Sequence, residues 1–294
     1  MPRKPHIIDG KKIAAEILEE VKRDVKALKK KRITPGLAVI LVGKDLAMEV
    51  YVRNKGKDCE LCGINFYPHH LPENVTERKL VNLITKLNAD RKVHGIICQM
   101  PVPKHISEWK VLNAISPDKD VDGFHPINVG KMLIGEPGFL PCTPHGCQQL
   151  LIRSGFDPKG KHVVVVGRSN IVGKPLAAIL MQKAQGANAT VTVCHSGTKN
   201  LAKFCREADI LIAAMGVPGF IKARMVKEGA IVLDVGISRV VDKSRKSGYR
   251  LAGDVDFKSV SKKARAITPV PGGVGPMTRA MLLTNTVQAA KTMT

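Results

Sequence analysis

The sequence predicts an α/β protein in two domains, and three observations predict it. Segments with helical spacing of apolar residues alternate with short apolar runs along nearly the whole chain. The runs are rich in Val and Ile and mostly lack polar alternation, the pattern of parallel strands buried on both faces. With 294 residues and 44% hydrophobic content, the chain also exceeds what one core usually holds. Only 4% of residues are aromatic, so aliphatic side chains and Met must fill the cores.

In order, the spacing predicts a helix over 13–30, with Ala14, Ile17, Leu18, Val21, Val25 and Leu28 on one face. A strand over 37–42, a helix over 48–62 and a short strand near Phe66 follow. Thr76 is placed to cap a helix that turns Leu80, Leu83, Ile84 and Leu87 inward, ahead of the apolar run 93–98. This βαβ order implies a parallel sheet covered by helices. The Pro- and Gly-punctuated stretch 135–144 marks the main boundary. Beyond it a helix is expected over 147–154, strands over 163–166, 190–194, 210–214 and 231–235, and a last helix over 278–290.

A formal net charge of +22 and a pI near 9.9 favour polyanionic partners without choosing among nucleic acid, phosphorylated cofactors and polycarboxylates. The densest basic run, 26–32, ends an amphipathic helix, where cations complement the helix dipole, and no nucleic-acid motif accompanies it. It therefore reads as a solvated helix face. Seven cysteines, an odd number scattered through apolar segments, argue against a disulfide framework and for a reducing compartment. Cys59 and Cys62 form a CxxC, but without a second pair they read as helix-packing thiols, and no metal site is expected. The opening MPRKPH is basic yet leads into no apolar stretch, and no later run approaches spanning length, so a soluble, cytoplasmic protein is expected.

The run 163–166 leads into GRSNIVGKPLA, a glycine loop and a helix with Pro175 in its first turn. Strand, glycine loop and helix N-terminus make a phosphate cradle, because free N–H groups and the helix dipole face the anion. This points to a Rossmann-type, doubly wound second domain, although GRSxxxG departs from GxGxxG and a ligand-free turn stays open for the loop alone. The next strand ends in Val193, Cys194, His195, Ser196 and Gly197, with no carboxylate for a ribose 2′-hydroxyl. Arg168, Ser169 and Ser196 offer a cation and two hydroxyls, so NADP is favoured over NAD.

In the first domain, Tyr51 and Lys55 are one helical turn apart and share a face. Gln99 and Pro101 follow the apolar run 93–98, and Asp122 lies in the turn-rich KDVDGFHP, where it either points into a cleft or caps the turn. The segment PVPGGVGP, with Gly272 and Gly273, is a rigid path of little bulk that lets backbone approach a ligand or simply launches the last helix.

YVRNK, GIICQMPVPKHI, PDKDVDGFHPINVG, PCTP, GRSNIVGKP, TVCHS, DVGI, GDVDF and PVPGGVGPMT stand in the order found in the bifunctional methylenetetrahydrofolate dehydrogenase/methenyltetrahydrofolate cyclohydrolase family, which the chain resembles over almost its full length. The resemblance implies NADP-dependent oxidation of 5,10-methylenetetrahydrofolate, then hydrolysis to 10-formyltetrahydrofolate, supplying one-carbon units for uses such as purine synthesis. It implies Tyr51, Lys55 and Gln99 as the catalytic motif, and Tyr51, Pro101, Asp122, Gly272 and Gly273 around the folate. Gly167, Arg168, Ser169, Ser196 and Ile237 match NADP-contacting positions. A homodimer, a folate domain over 1–140 completed by a helix over 277–294, an NADP domain over 141–276, and an active-site cleft between the two are also implied, with polyglutamylated folates as ligands. The chain departs from the family in Leu46, Ala47 and Met48, where a serine usually precedes the motif tyrosine by three residues, in DVGIS, and in Gly197. A folate- or nucleic-acid-binding protein without turnover is the rival reading, motivated by the net charge of +22.

Overall fold

The structure is a computed structural model that describes residues 5–245 and 248–293; the side chains of Leu46 and Ala47, and the basic MPRK start, lie outside the described residues. Its elements are β1 (His6–Ile7), α1 (Gly10–Lys30), β2 (Gly36–Val42), α2 (Leu46–Cys62), β3 (Asn65–Leu71), α3 (Glu77–Ala89), β4 (Gly95–Cys98), α4 (Glu108–Ala114) and α5 (Pro126–Ile134). After these come α6 (Cys142–Arg153), β5 (His162–Val166), α7 (Gly173–Leu180), β6 (Thr190–Cys194), α8 (Leu201–Glu207), β7 (Ile210–Ala213) and β8 (Ile231–Asp234). The hairpin β9 (Ser238–Val241) and β10 (Tyr249–Ala252), then α9 (Phe257–Val260), β11 (Ala266–Ile267) and α10 (Val274–Thr292), complete the chain. It divides into two compact units, Ala15–Cys142 with the chain from Arg279 onward, and Thr143–Thr278 with the chain up to Ala14.

The unit bearing Lys55 is built on a parallel sheet of order β3-β2-β4. Every residue of β2, GLAVILV, is buried, as its unbroken apolar run requires of a central strand. At the edge, β3 carries Pro68, which an edge strand tolerates because one side of its backbone needs no ladder partner. That proline and the polar His69 and His70 mask its length in the sequence, which shows only a short strand. The Thr76 hydroxyl accepts from Lys79 N at 3.3 Å and starts α3, whose Leu80, Ile84 and Leu87 join Ala38, Ile40, Ile96 and Val111 in one core. Each large aliphatic side chain buried there contributes about 1.5–3 kcal/mol.

The unit bearing the glycine loop has a six-stranded sheet of order β1-β11-β8-β7-β5-β6, parallel throughout. From β5 the chain goes to β6 on one side and then to β7 on the other, so the loop after β5 lies at a topological switch point, where doubly wound sheets hold ligands. Two helices start earlier than the sequence suggests, α6 at Cys142 and α10 at Val274. Pro144 and Pro276 sit in their first turns, where a missing N–H costs no helical hydrogen bond.

Candidate functional site

Lys55 and Gln99 are brought together from distant sequence. The backbone N–H of Gln99 extends the β4 ladder by donating to Ile40 O at 2.9 Å, which fixes the residue just past the strand's C-terminal end. Its side-chain Oε1 accepts from Lys55 Nζ at 3.1 Å. Burial holds the Lys55 amine below the usual lysine range, against the opposing pull of Asp122 and the nearby Cys142 and Cys59. Tyr51, one turn earlier on α2, is 47% exposed, and Pro101 is exposed beyond Gln99.

The two aspartates of KDVDGFHP divide their work. Asp120 is buried and accepts from Phe124 N (3.3 Å), His125 N (2.8 Å) and Asn128 Nδ2 (2.9 Å), so the turn-capping task falls to it. Burial lifts its carboxyl to about 6 although these donors pull it down. Asp122 is half-buried and faces Lys55 and the Cys142 thiol; burial raises its carboxyl above the usual range against the attraction of both. With no backbone donor on its carboxylate among the described residues, Asp122 is free to meet a ligand.

In the other unit, the glycine loop is a cradle built around one hydroxyl. Ser169 Oγ accepts from Val172 N at 3.1 Å and Gly173 N at 3.4 Å, which caps α7 and leaves its own proton free to donate outward. None of the amides of residues 168–171 donates to an acceptor among the described residues, and the Arg168 guanidinium is exposed and unpaired there. Free N–H groups, a helix N-terminus and an unengaged cation suit a nucleotide's phosphates. At the β6 end, His195 N donates to Thr198 Oγ1 at 2.9 Å and Gly197 N to His195 Nδ1 at 3.1 Å, leaving Ser196 exposed at the tip of this turn. A Cβ at Gly197 would lie 3.2 Å from the His195 ring, so glycine there keeps the turn uncrowded.

Two buried carboxylates staple the loops beyond β7 and β8. Asp254 Oδ2 accepts from Met215 N (2.7 Å) and Gly216 N (3.0 Å), while Asp234 accepts from Gly236 N (3.1 Å), Asp254 N (2.8 Å) and Val255 N (2.9 Å). Burial raises Asp234 to about 6 in spite of those donors. The staple on Gly236 presents its neighbour Ile237, 47% exposed. Gly272 and Gly273 lie in this same unit: Lys11 N donates to Gly272 O at 3.2 Å, and a Cβ on Gly10 would strike the Gly273 carbonyl. Their lack of bulk is thus used at least in part to seat the start of α1.

Residues 8–122 match the tetrahydrofolate dehydrogenase/cyclohydrolase catalytic domain, and residues 141–294 match the NAD(P)-binding domain of the same family. The chain belongs to this family. It is 61% identical over 97% of both chains to the bifunctional protein FolD of Dehalococcoides mccartyi (strain CBDB1). Its structure superposes on the FolD dehydrogenase/cyclohydrolase of Campylobacter jejuni with a TM-score of 0.92 at 51% identity, covering 98% and 99% of the two chains. With the FolD enzyme of Trypanosoma brucei, solved with NADP cofactor and an inhibitor, the TM-score is 0.93 at 40% identity and 99% coverage of both.

Membership in the dehydrogenase/cyclohydrolase family makes the chain an enzyme of one-carbon metabolism with an NAD(P)-binding domain, and the alternative of binding without turnover is not favoured. No helix among the described residues is long and apolar enough to cross a membrane. All seven cysteines are free and buried, and burial pushes Cys59 and Cys62 up to about 12 and about 11, which suits packing rather than thiolate chemistry. Of the family departures, Met48 is half-buried in the first turn of α2, its N–H capped by Asp45 Oδ1 at 3.0 Å.

The glycine loop also makes a testable demand. A Cβ on Gly173 would run into the Gly167 carbonyl, a backbone atom that cannot swing aside. Gly173→Ala is expected to cost about 1–3 kcal/mol by overpacking and to weaken nucleotide binding as the loop shifts. Thermal melts with and without NADP check this; an unchanged melting temperature with unchanged NADP stabilisation contradicts it.

Proposed function

We propose that this chain oxidises 5,10-methylenetetrahydrofolate with NADP and then hydrolyses 5,10-methenyltetrahydrofolate to 10-formyltetrahydrofolate, with Lys55 serving the second step. The observation that carries the residue assignment is the half-buried Lys55 amine held by Gln99 Oε1 at 3.1 Å and facing Asp122. Arg168, Ser169 and Ser196, the free amides of the glycine loop, Gly167 and Ile237 would hold the nucleotide. When bound, NADP supplies the hydride acceptor for the methylene carbon. Asp122 anchors the pterin, whose 2-amino group and adjacent ring N–H present two parallel donors to one carboxylate. Tyr51 and Pro101, in the same unit as Asp122, would line the path of the folate.

Oxidation calls on these residues for orientation rather than proton transfer, because the methenyl cation is stabilised by the flanking folate nitrogens. Hydrolysis differs. A water must lose a proton as it adds to the methenyl carbon, the departing ring nitrogen must gain one as its bond to that carbon breaks, and the remaining hydroxyl proton leaves to solvent as the formyl carbonyl forms. Burial holds Lys55 below the usual lysine range, which favours the neutral amine that would accept the first proton and return it to the nitrogen. Gln99 holds that amine in place, while Tyr51 shapes the pocket and orders the water.

Homodimerisation and a cytoplasmic setting belong to the same proposal, the latter supported by seven free thiols. A net charge of +22 supports attraction of polyglutamylated folates rather than specific nucleic-acid binding. Incubation with methylenetetrahydrofolate and NADP should yield NADPH and 10-formyltetrahydrofolate together. Formation of NADPH with methenyltetrahydrofolate accumulating at its uncatalysed hydrolysis rate would refute the second activity.

A further inference from the structure

Arg279 and Asp58 have no place in the chemistry assigned above, yet they meet one helical turn from Lys55. Asp58 follows Lys55 by three residues on α2, where side chains share a face. Its side chain is only 14% exposed, and Arg279, from the second turn of α10, places Nε 3.1 Å from its Oδ2. That oxygen is buried without an aligned hydrogen bond, so the guanidinium charge is what holds it. A buried carboxylate deprived of its counter-charge is costly and recruits the nearest cation. On α2 the one cation three or four residues from Asp58 is Lys55.

Lys55 is faced by Asp122 and Cys142, by Cys59 on its own helix, and by Arg279 from α10, with Asp58 and Tyr51 about one turn to either side of it on α2. Its amine donates to Gln99 Oε1. We infer that Arg279 is a positioning residue for Lys55: by engaging Asp58 it keeps that carboxylate from drawing the Lys55 amine away from Gln99. The inference rests on Lys55 as the water-activating group. Once Arg279 is removed, Asp58 competes for Lys55, turns it from Gln99 and holds it as ammonium. Removing both charges leaves nothing to compete. The sequence separates the partners widely and neither belongs to the motif YVRNK, so their pairing appears only in the fold.

The test compares Arg279→Met, Asp58→Asn and the double variant, measuring methenyltetrahydrofolate hydrolysis across pH and NADPH formation separately. Arg279→Met is expected to lose about tenfold in hydrolysis near neutral pH, the effect of a one-unit change in the amine's titration, with its pH profile displaced upward and hydride transfer retained. Asp58→Asn leaves the Arg279 cation unneutralised beside Lys55, and its profile should move to lower pH. The double variant should regain most of the activity and the native profile. Unchanged hydrolysis and pH profile in Arg279→Met overturn the inference, as does a double variant no better than Arg279→Met, since the pair then serves packing alone. If Arg279→Met fails to fold, the Asp58→Asn profile decides, and the absence of a downward shift overturns it. A Lys55→Met control separates the two levels, because near-native hydrolysis there refutes the Lys55 assignment itself.

Discussion

Replacing Lys55 with Met is expected to cut methenyltetrahydrofolate hydrolysis by at least about a hundredfold, the usual scale for losing a positioned acid or base, while NADPH formation persists at a reduced level. Met keeps much of the stem's volume and loses only the amine, so damage to packing stays small. Hydride transfer should survive because it depends on alignment of the reactants rather than on proton transfer. The native pH profile should follow the amine: burial depresses Lys55, so hydrolysis rises with pH as the ammonium deprotonates, and the rise begins below the range of an ordinary lysine. In the Met variant that pH-dependent rise should vanish. The assay follows methenyltetrahydrofolate disappearance against uncatalysed hydrolysis in a variant whose melting curve matches the parent. Hydrolysis at near-native rate would make Lys55 a bystander and move water activation to another group.

The α/β class and most of the strands were legible because buried parallel strands leave unbroken Val and Ile runs, as in GLAVILV and HVVVV. Elements that bury little were not. The hairpin strands β9 and β10 bury no residue, and two-residue strands such as β1 and β11 are defined by neighbours in the sheet rather than by any pattern of their own. In the Lys55 region, spacing on α2 was enough to pair Tyr51 with Lys55, whereas the contact between Lys55 and Gln99 depends on strand register. The division of labour between Asp120 and Asp122 was equally invisible, since both stand in one turn-rich stretch and only hydrogen-bond geometry shows which is occupied. Asp234 and Asp254 were seen as letters of DVGI and GDVDF, not as the carboxylates that staple the loops beyond β7 and β8. Side chains that act through backbone N–H groups leave no spacing signal, because their partners are any residues the fold brings near.

Arg168→Ala is expected to raise the Michaelis constant for NADP by about tenfold to a hundredfold, matching the roughly 1.5–3 kcal/mol of a hydrogen bond to a charged group, and to leave that for NAD nearly unchanged. The guanidinium is exposed and has no partner among the described residues, so its removal breaks no internal contact and the effect falls on the ligand. The two nucleotides differ only in the 2′-phosphate, and the β6 end offers no carboxylate to repel it, only Ser196 and the uncrowded turn at Gly197. Arg168→Lys should recover part of the loss, because an ammonium restores charge without the bidentate fork. Raising salt should weaken NADP binding to the parent more than to Arg168→Ala, since screening acts on the charge that the variant lacks. Steady-state kinetics with both nucleotides at two ionic strengths measure all of this. Equal use of NADP and NAD by the parent, or a parallel rise of both constants in the variant, would place the discrimination somewhere other than Arg168.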